Sequence, residues 1–281
     1  MRLSTFNYQN KPTLGIVRAE GIVPVPGLTM LAVIERGDAA LADLRANDQP
    51  ALPLVTADLL APLPAPRRNV MCLGLNYAEH VKESAEARGR ETKIPAHPVF
   101  FTKATTAVNG PYASIPFDAS VSTQIDWEAE LGVVIGKRGK NIPAAEAMAH
   151  VFGYTVINDV SARDLQSNHN QFFKGKSLDG ACPMGPWIVT ADEIADPHRL
   201  AIQCRVNGVI KQAANTELMI FKIPAIIEIL SRGLTLEPGD VIATGTPSGV
   251  GFARTPPEFL KPGDVVECEI EGIGVIRNTV G

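Results

Sequence analysis

The residues best suited to chemistry stand together in Asp126-Trp127-Glu128-Ala129-Glu130-Leu131-Gly132-Val133-Val134-Ile135. Side chains alternate along a strand, so Glu128 and Glu130 share one face while Trp127, Ala129, Leu131, Val133 and Ile135 take the other. A solvated polar face would give the same spacing, but this face continues through Gly132 and Val134 and is not polar throughout. Neighbouring carboxylates on a partly apolar face repel unless protons or a cation intervene. A hard divalent ion, Mg²⁺ or Mn²⁺, suits them because it prefers carboxylate oxygens. A further carboxylate, Asp159, follows the apolar run Gly153 to Ile157 and so stands at a strand end. Arg163 lies four residues beyond Asp159, and Gln166 three beyond Arg163, so a helical turn projects them to one side. A helix cap with a local Asp–Arg pair explains the same residues. His80 and Glu83, three apart, allow a carboxylate to orient an imidazole and raise its basicity toward a bound water. A surface His–Glu pair is the commoner reason for such spacing. His97, His150, His169 and His198 have no comparable partner and read as loop or surface residues.

Other motifs fail. Gly175-Lys176-Ser177 resembles the end of a phosphate loop but has Asn170 where the first Gly belongs. Gly249-Val250-Gly251 has Arg254 in place of the third Gly of a dinucleotide loop, and Ser248 lacks the preceding Gly of a nucleophile elbow.

Around these residues the chain is ordinary in bulk. With 281 residues, 45 % hydrophobic and 20 % charged, it is long enough to bury a core and is neither disordered nor a disulfide scaffold. A net charge of −4 without a Lys/Arg-rich run argues against nucleic-acid binding and favours a small-molecule partner. No apolar run reaches the roughly 20 residues of a membrane span. Met1 to Asn10 has neither a basic start nor an apolar signal core, and a cytoplasmic protein is expected. Cys72, Cys182, Cys204 and Cys268 form no Cys-x-x-Cys pair and read as reduced thiols.

The elements that must hold the candidate residues are mainly strands. Expected strands are 130–135, 153–157, 187–190, 202–206 with 209–211, 241–244, 265–270 and 274–277, with Asn207-Gly208 as a hairpin turn. Expected helices cover 77–88, 144–151 and 224–232. The first has Asn76 and Glu79 at capping-box spacing, and the last has Pro at its start and Gly233 past its end. Two Leu-x-Pro-Gly-Asp-Val segments, from Leu236 and from Leu260, read as type II turns feeding strands. Residues 1–66 carry short alternating segments, Leu14 to Arg18 and Leu31 to Ile34, and then a proline-rich passage. They read as a small strand-bearing lead domain and linker ahead of a catalytic domain over 67–281. Strands outnumber helices without alternating with them, which favours α+β with a mixed, rolled sheet.

Taken in order, Gly74-Leu75-Asn76-Tyr77 with His80 and Glu83, Phe101-Thr102-Lys103, Asp126-Trp127-Glu128-Ala129-Glu130, Asn158-Asp159-Val160-Ser161-Ala162-Arg163-Asp164, Gly175-Lys176-Ser177, Gly185-Pro186-Trp187 and Gly245-Thr246-Pro247-Ser248-Gly249-Val250-Gly251 resemble the fumarylacetoacetate hydrolase family, in its acylpyruvase-like branch. The resemblance spans about residues 70 to 281 and implies a mixed β-roll catalytic domain, a homodimer, and Mg²⁺ or Mn²⁺ held by Glu128, Glu130 and Asp159. It implies that Arg163, Gln166 and Lys176 line the pocket near substrate oxygens, that Thr246 contacts the substrate carboxylate, and that His80 with Glu83 forms a catalytic dyad on a mobile lid. The charged stretch Glu83 to Lys93, which contains Gly89, fits that lid. Asp179-Gly180-Ala181 after Lys176, and Asn109 before Gly110-Pro111, depart from commoner family patterns and are expected to shape the substrate end, with Gly180 leaving room for a polyhydroxylated acid.

The leading expectation is hydrolysis of a carbon–carbon bond in a 2,4-diketo acid of the acylpyruvate type, with His80, oriented by Glu83, activating water, and Arg163 and Lys176 stabilising the enolate that leaves. Alternatives are decarboxylation of an oxaloacetate-type acid, isomerisation or hydration of an unsaturated 2-oxo acid, and hydrolysis of a diketo-deoxy sugar acid. A catalytically silent binding protein is the reading from a different class.

Overall fold

The computed structural model describes residues 1–281, Ala57 by its backbone alone. The chain begins with strands β1 (Arg2–Tyr8), β2 (Lys11–Arg18) and β3 (Gly21–Val25), helices α1 (Met30–Arg36) and α2 (Asp38–Arg45), and β4 (Leu59–Leu60). There follow β5 (Val70–Gly74), α3 (Ala78–Ala87), β6 (Val99–Lys103), β7 (Val108–Asn109), β8 (Ile125–Asp126), β9 (Ala129–Ile135), β10 (Val151–Asn158) and β11 (Ser161–Ala162). Helices α4 (Arg163–Asn168) and α5 (Phe173–Lys176) lead to β12 (Cys182–Thr190), β13 (Ala201–Val206), β14 (Val209–Asn215), α6 (Ile223–Ser231), β15 (Val241–Ala243), β16 (Val265–Ile270) and β17 (Gly274–Thr279).

The architecture is the expected α+β one. A large mixed sheet runs β3-β2-β1-β12-β10-β9-β15-β5-β6 without closing, a second sheet runs β14-β13-β16-β17, and β11 pairs with β8. Side-chain alternation gives the sheet two buried faces. Leu131, Val133 and Ile135 of β9 face a core shared with Ile202, Cys204, Val266 and Cys268 of the four-stranded sheet. Val134 faces the opposite core, with Ile157, Ile188 and the α1 residues Val33 and Ile34. The central sheet is therefore covered on both sides, and Glu128 and Glu130 take the Val134 side. The lead segment is stitched into the same sheet, since Leu3 of β1 pairs with Ile188 of β12.

Turn chemistry sets the register. Asn207 and Gly208 have φ of 52° and 76°, the two positive values of a type I′ hairpin joining β13 to β14. Both Leu-x-Pro-Gly-Asp-Val segments are type II turns, with Asp240 N–H donating to Glu237 O at 3.0 Å and Asp264 N–H to Lys261 O at 3.0 Å.

Three local expectations are corrected. Leu31 to Ile34 lies in helix α1 rather than a strand, because Thr29 Oγ1 accepts from Ala32 N–H at 3.2 Å and so caps the helix, and Met30, Val33 and Ile34 recur on one buried face. Residues 144–150 form 3₁₀ turns rather than an α-helix. Asn76 does not cap α3, whose cap residue is Tyr77. Its amide instead donates to Thr244 O at 2.7 Å and to Phe221 O at 3.1 Å, and accepts from Phe221 N–H at 2.7 Å, joining the start of α3 to the end of β15.

Candidate active site

The pocket opens between the carboxylate face of β9 and helix α3, and Leu73, Gly74, His80, Ser84, Arg88, Phe101, Glu128, Glu130, Arg163, Gln166, Phe172, Lys176, Thr246 and Phe252 are among the residues that line it. Glu128 sits on the short connection before β9 and Glu130 within it. Asp159 directly follows β10, whose Asn158 pairs with Ala129. Antiparallel pairing thus brings the three carboxylates together, with one oxygen from each lying within 4.8 Å of the others. All three side chains are buried.

Cations hold two of these carboxylates. Lys176 Nζ donates to Glu128 Oε2 at 2.6 Å and to Asp159 Oδ2 at 2.7 Å, and Lys103 Nζ donates to Asp159 Oδ1 at 2.6 Å. Arg163 Nη2 lies 2.7 Å from Glu128 Oε1, its Nε donates to Asp126 Oδ2 at 2.8 Å, and its Nη1 donates to Gln166 Oε1 at 3.0 Å. Burial pushes the Glu128 carboxyl up, but Lys176 and Arg163 outweigh it and hold the group well below the usual carboxylate range. Burial also works against the Lys176 ammonium, but Asp159 and Glu128 prevail and raise its pKa.

Glu130 differs from its neighbours. Its Oε2 accepts from Gly245 N–H at 2.8 Å, and among the described residues no cation pairs with it. Burial, Asp159 and Glu128 push its carboxyl well above the usual range. A cluster of three buried carboxylates with one uncompensated member fits a hard divalent ion, whose charge would relieve that repulsion.

Across the pocket, His80 Nδ1 lies 2.8 Å from Glu83 Oε1, and Glu83 Oε2 accepts from Gly249 N–H at 2.8 Å. The dyad is tied to the loop after β15, and His80 is buried. Thr246 lines the same space, but its hydroxyl donates to Ala129 O at 2.9 Å and accepts from Gln212 Nε2 at 2.7 Å. All nine residues singled out in the sequence lie on this constellation, with Glu83 reaching it through His80.

Backbone approach positions Lys176. A Cβ on Gly175 would lie 2.4 Å from Gln166 N and 2.7 Å from Ala162 O, so only Gly lets α5 pass this close to α4. Gly180 does not leave room for substrate. A Cβ there would lie 2.6 Å from Pro116 Cδ, and Asn109 Nδ2 donates to Gly180 O at 3.2 Å and Ser114 O at 2.7 Å, so both departures from the family pattern brace one loop.

Several residues that support the site have no role legible from their own position in the sequence. Asp126 accepts from Gly251 N–H at 2.7 Å and Phe252 N–H at 3.0 Å as well as from Arg163. It stands in the same motif as the glutamates, so that motif was the available signal. Lys103 was likewise visible in Phe101-Thr102-Lys103. Gln212, which accepts from Ala129 N–H at 3.0 Å, had no signal, since it is one polar residue in a half-exposed strand.

A family model described as fumarylacetoacetate (FAA) hydrolase C-terminal matches residues 69–281. The chain belongs to the fumarylacetoacetate hydrolase family. Among its relatives, the Bos taurus protein named oxaloacetate tautomerase FAHD2A, mitochondrial, is 47 % identical over 271 residues, covering 95 % of this chain and 84 % of the relative. The Bacillus subtilis (strain 168) oxaloacetate tautomerase YisK is 50 % identical over 223 residues, covering 79 % of this chain and 73 % of its own. A fumarylacetoacetate hydrolase structure from Exiguobacterium antarcticum aligns over 100 % of this chain and 99 % of its own, with TM-score 0.85 and 42 % identity. The maleylpyruvate hydrolase of Sphingobium sp. SYK-6, in complex with manganese (II) ion and pyruvate, aligns over 100 % of this chain and 98 % of its own, with TM-score 0.81 and 29 % identity. No described helix is long and apolar enough to cross a membrane.

Proposed function

We propose that this chain catalyses proton transfer next to the ketone of a small 2-oxo acid of the oxaloacetate type, interconverting its keto and enol forms. The observation that carries the reading is one pocket lined by Glu128, Glu130, Arg163, Lys176 and His80, with Asp159 joined to the carboxylate cluster through Lys176. The relatives named oxaloacetate tautomerase, at 47 % and 50 % identity, support it, and move the weight away from acylpyruvate hydrolysis.

Glu128, Glu130 and Asp159 would hold Mg²⁺ or Mn²⁺, which supplies Lewis-acid polarisation of the ketone when bound. The remaining work falls to the chain's own groups. Glu83 takes His80 Nδ1, which leaves Nε2 to accept the proton from the carbon beside the ketone; the oxygen then takes a proton from solvent to give the enol, His80 releases its own to solvent, and the reverse direction runs the same transfers backward. Lys176, kept protonated by Asp159 and Glu128, and Arg163 lie where negative charge develops on the substrate oxygen. Gln166 aligns Arg163, and Thr246 holds the strand edge beside Glu130 through Ala129. No water has to attack a ketone in this reaction.

Hydrolysis of an acylpyruvate-type acid remains the second reading. It is favoured by the fixed Glu83–His80 pair, which also suits water activation, and by the maleylpyruvate hydrolase neighbour. The two are separated by incubating the protein and Mg²⁺ with oxaloacetate, following enol absorbance, and with acetylpyruvate, analysing for acetate and pyruvate. Faster keto–enol exchange, lost in His80→Asn, supports the proposal. Acetate release without any effect on exchange refutes it in favour of hydrolysis.

A further inference from the structure

Helix α3 presents more to the pocket than the proposed reaction uses. His80, Ser84 and Arg88 recur at i, i+4 and i+8 on the helix and its cap residue, so they form one stripe, and all three line the pocket. His80 is engaged by Glu83. Ser84 is 3 % exposed, and its Oγ has no hydrogen-bond partner among the described residues. Buried hydroxyls are almost always partnered, so this one is aimed where a ligand oxygen would meet it.

Arg88 completes the stripe at the pocket mouth. Its guanidinium carbon lies 4.7 Å from the centroid of Phe252, and that of Arg163 lies 4.4 Å from the same centroid. The ring therefore ties the two cations to within about 9 Å of each other. Their pairing differs. Arg163 is matched by Asp126 and Glu128, Lys176 by Glu128 and Asp159, and Lys103 by Asp159, whereas Arg88 meets no carboxylate within ion-pair distance among the described residues. Burial, Arg163 and Arg90 lower its pKa, as befits a cation beside other cations. Phe252 is itself held by Asp126, which accepts from the Phe252 and Gly251 N–H groups, so the platform under Arg88 is fixed to the site's framework.

We propose that Ser84 and Arg88 form the subsite for a second, distal carboxylate, so that this chain selects short dicarboxylic 2-oxo acids over monocarboxylic ones. The inference rests on the 2-oxo acid reading and specifies which acids that site takes. With C–C bonds of about 1.5 Å, the two carboxyl carbons of a four-carbon diacid lie roughly 3–4 Å apart, a span that, with a hydrogen-bond length at each end, fits between cations at this separation. Arg88 supplies a planar fork for the distal carboxylate, and the Ser84 hydroxyl donates a third bond to it.

The test uses the full-length protein with Mg²⁺, comparing wild type, Ser84→Ala, Arg88→Gln and Arg88→Lys. KM and kcat for oxaloacetate exchange are measured beside the dissociation constant of pyruvate, a monocarboxylic probe. Arg88→Gln is expected to lower selectivity for oxaloacetate over pyruvate by tenfold or more, chiefly through KM, with partial recovery in Arg88→Lys and a smaller loss in Ser84→Ala. Equal weakening toward both acids, or unchanged selectivity, overturns the subsite while leaving the 2-oxo acid reading standing. Wild type that neither exchanges oxaloacetate nor binds pyruvate overturns that reading, and the subsite with it.

Discussion

Asp126→Asn is the sharpest perturbation of the framework beneath the pocket. The aspartate is wholly buried, and its two oxygens accept from Trp127, Gly251 and Phe252 N–H groups and from Arg163 Nε at 2.7–3.0 Å. An amide keeps the shape but removes the charge and turns one acceptor into a donor, which then faces a donor. Leaving a buried partner charge uncompensated costs about 3–5 kcal/mol, and an orphaned buried N–H about 1–3 kcal/mol. Arg163 retains Glu128 at 2.7 Å, so its charge is only partly uncompensated and costs about 2 kcal/mol, below the first range; with the orphaned N–H a loss of about 3–5 kcal/mol in all is expected. At roughly 2–4 °C per kcal/mol for chains of this size, the melting temperature should fall by about 6–20 °C. Denaturant unfolding at fixed protein concentration, with the slope checked for constancy, measures the free energy directly. A loss below about 1 kcal/mol would refute the assignment of Asp126 as the anchor of Arg163 and of the Gly251–Phe252 loop.

Three further outcomes are expected. Mg²⁺ or Mn²⁺ at a hundred times its dissociation constant should stabilise the wild type by about 2.7 kcal/mol in thermal unfolding, and Glu130→Gln should largely abolish the effect; an undiminished shift in the variant would place the ion elsewhere. Gly175→Ala forces a Cβ to within 2.4 Å of Gln166 N and should cost about 1–3 kcal/mol while reducing turnover by displacing Lys176; unchanged melting and turnover would contradict the close-approach argument. His198 Nε2 accepts from Ile223 N–H at 3.1 Å at the start of α6, and burial, assisted by Lys222 and opposed by Asp196, lowers its pKa. Its contribution is therefore present above the ordinary imidazole value of about 6.5 and lost as pH falls through the depressed folded value. The effect is seen as a steeper acid-side fall in melting temperature for wild type than for His198→Gln, and parallel profiles would count against it.

Much of the site was legible because its residues lie on regular elements. Period-two alternation put Glu128 and Glu130 on one face, and an apolar run ending at Ile157 put Asp159 at a strand end. Strand ladders then did the assembly, since β9 and β10 are neighbours through Ala129 and Asn158. What was hidden depends on contacts far apart in sequence. Gln212 reaches Ala129 across 83 positions, and Asn76 reaches Thr244 across 168, so local patterns could assign Asn76 only to the nearest role, a helix cap. The Leu31 to Ile34 segment misled because Leu-Ala-Val-Ile suits either period, and the arbiters, Thr29 before it and Gly37 after it, lie outside the run.

The most direct test of the central claim is the rate of keto–enol exchange of oxaloacetate, followed by enol absorbance with Mg²⁺ present, for wild type against His80→Asn and Glu128→Gln. The site described here predicts acceleration by the wild type and a loss of at least a hundredfold in each variant with the fold intact. Acceleration that survives both substitutions would contradict it, because the proton carrier and the carboxylate cluster would then lie outside this pocket.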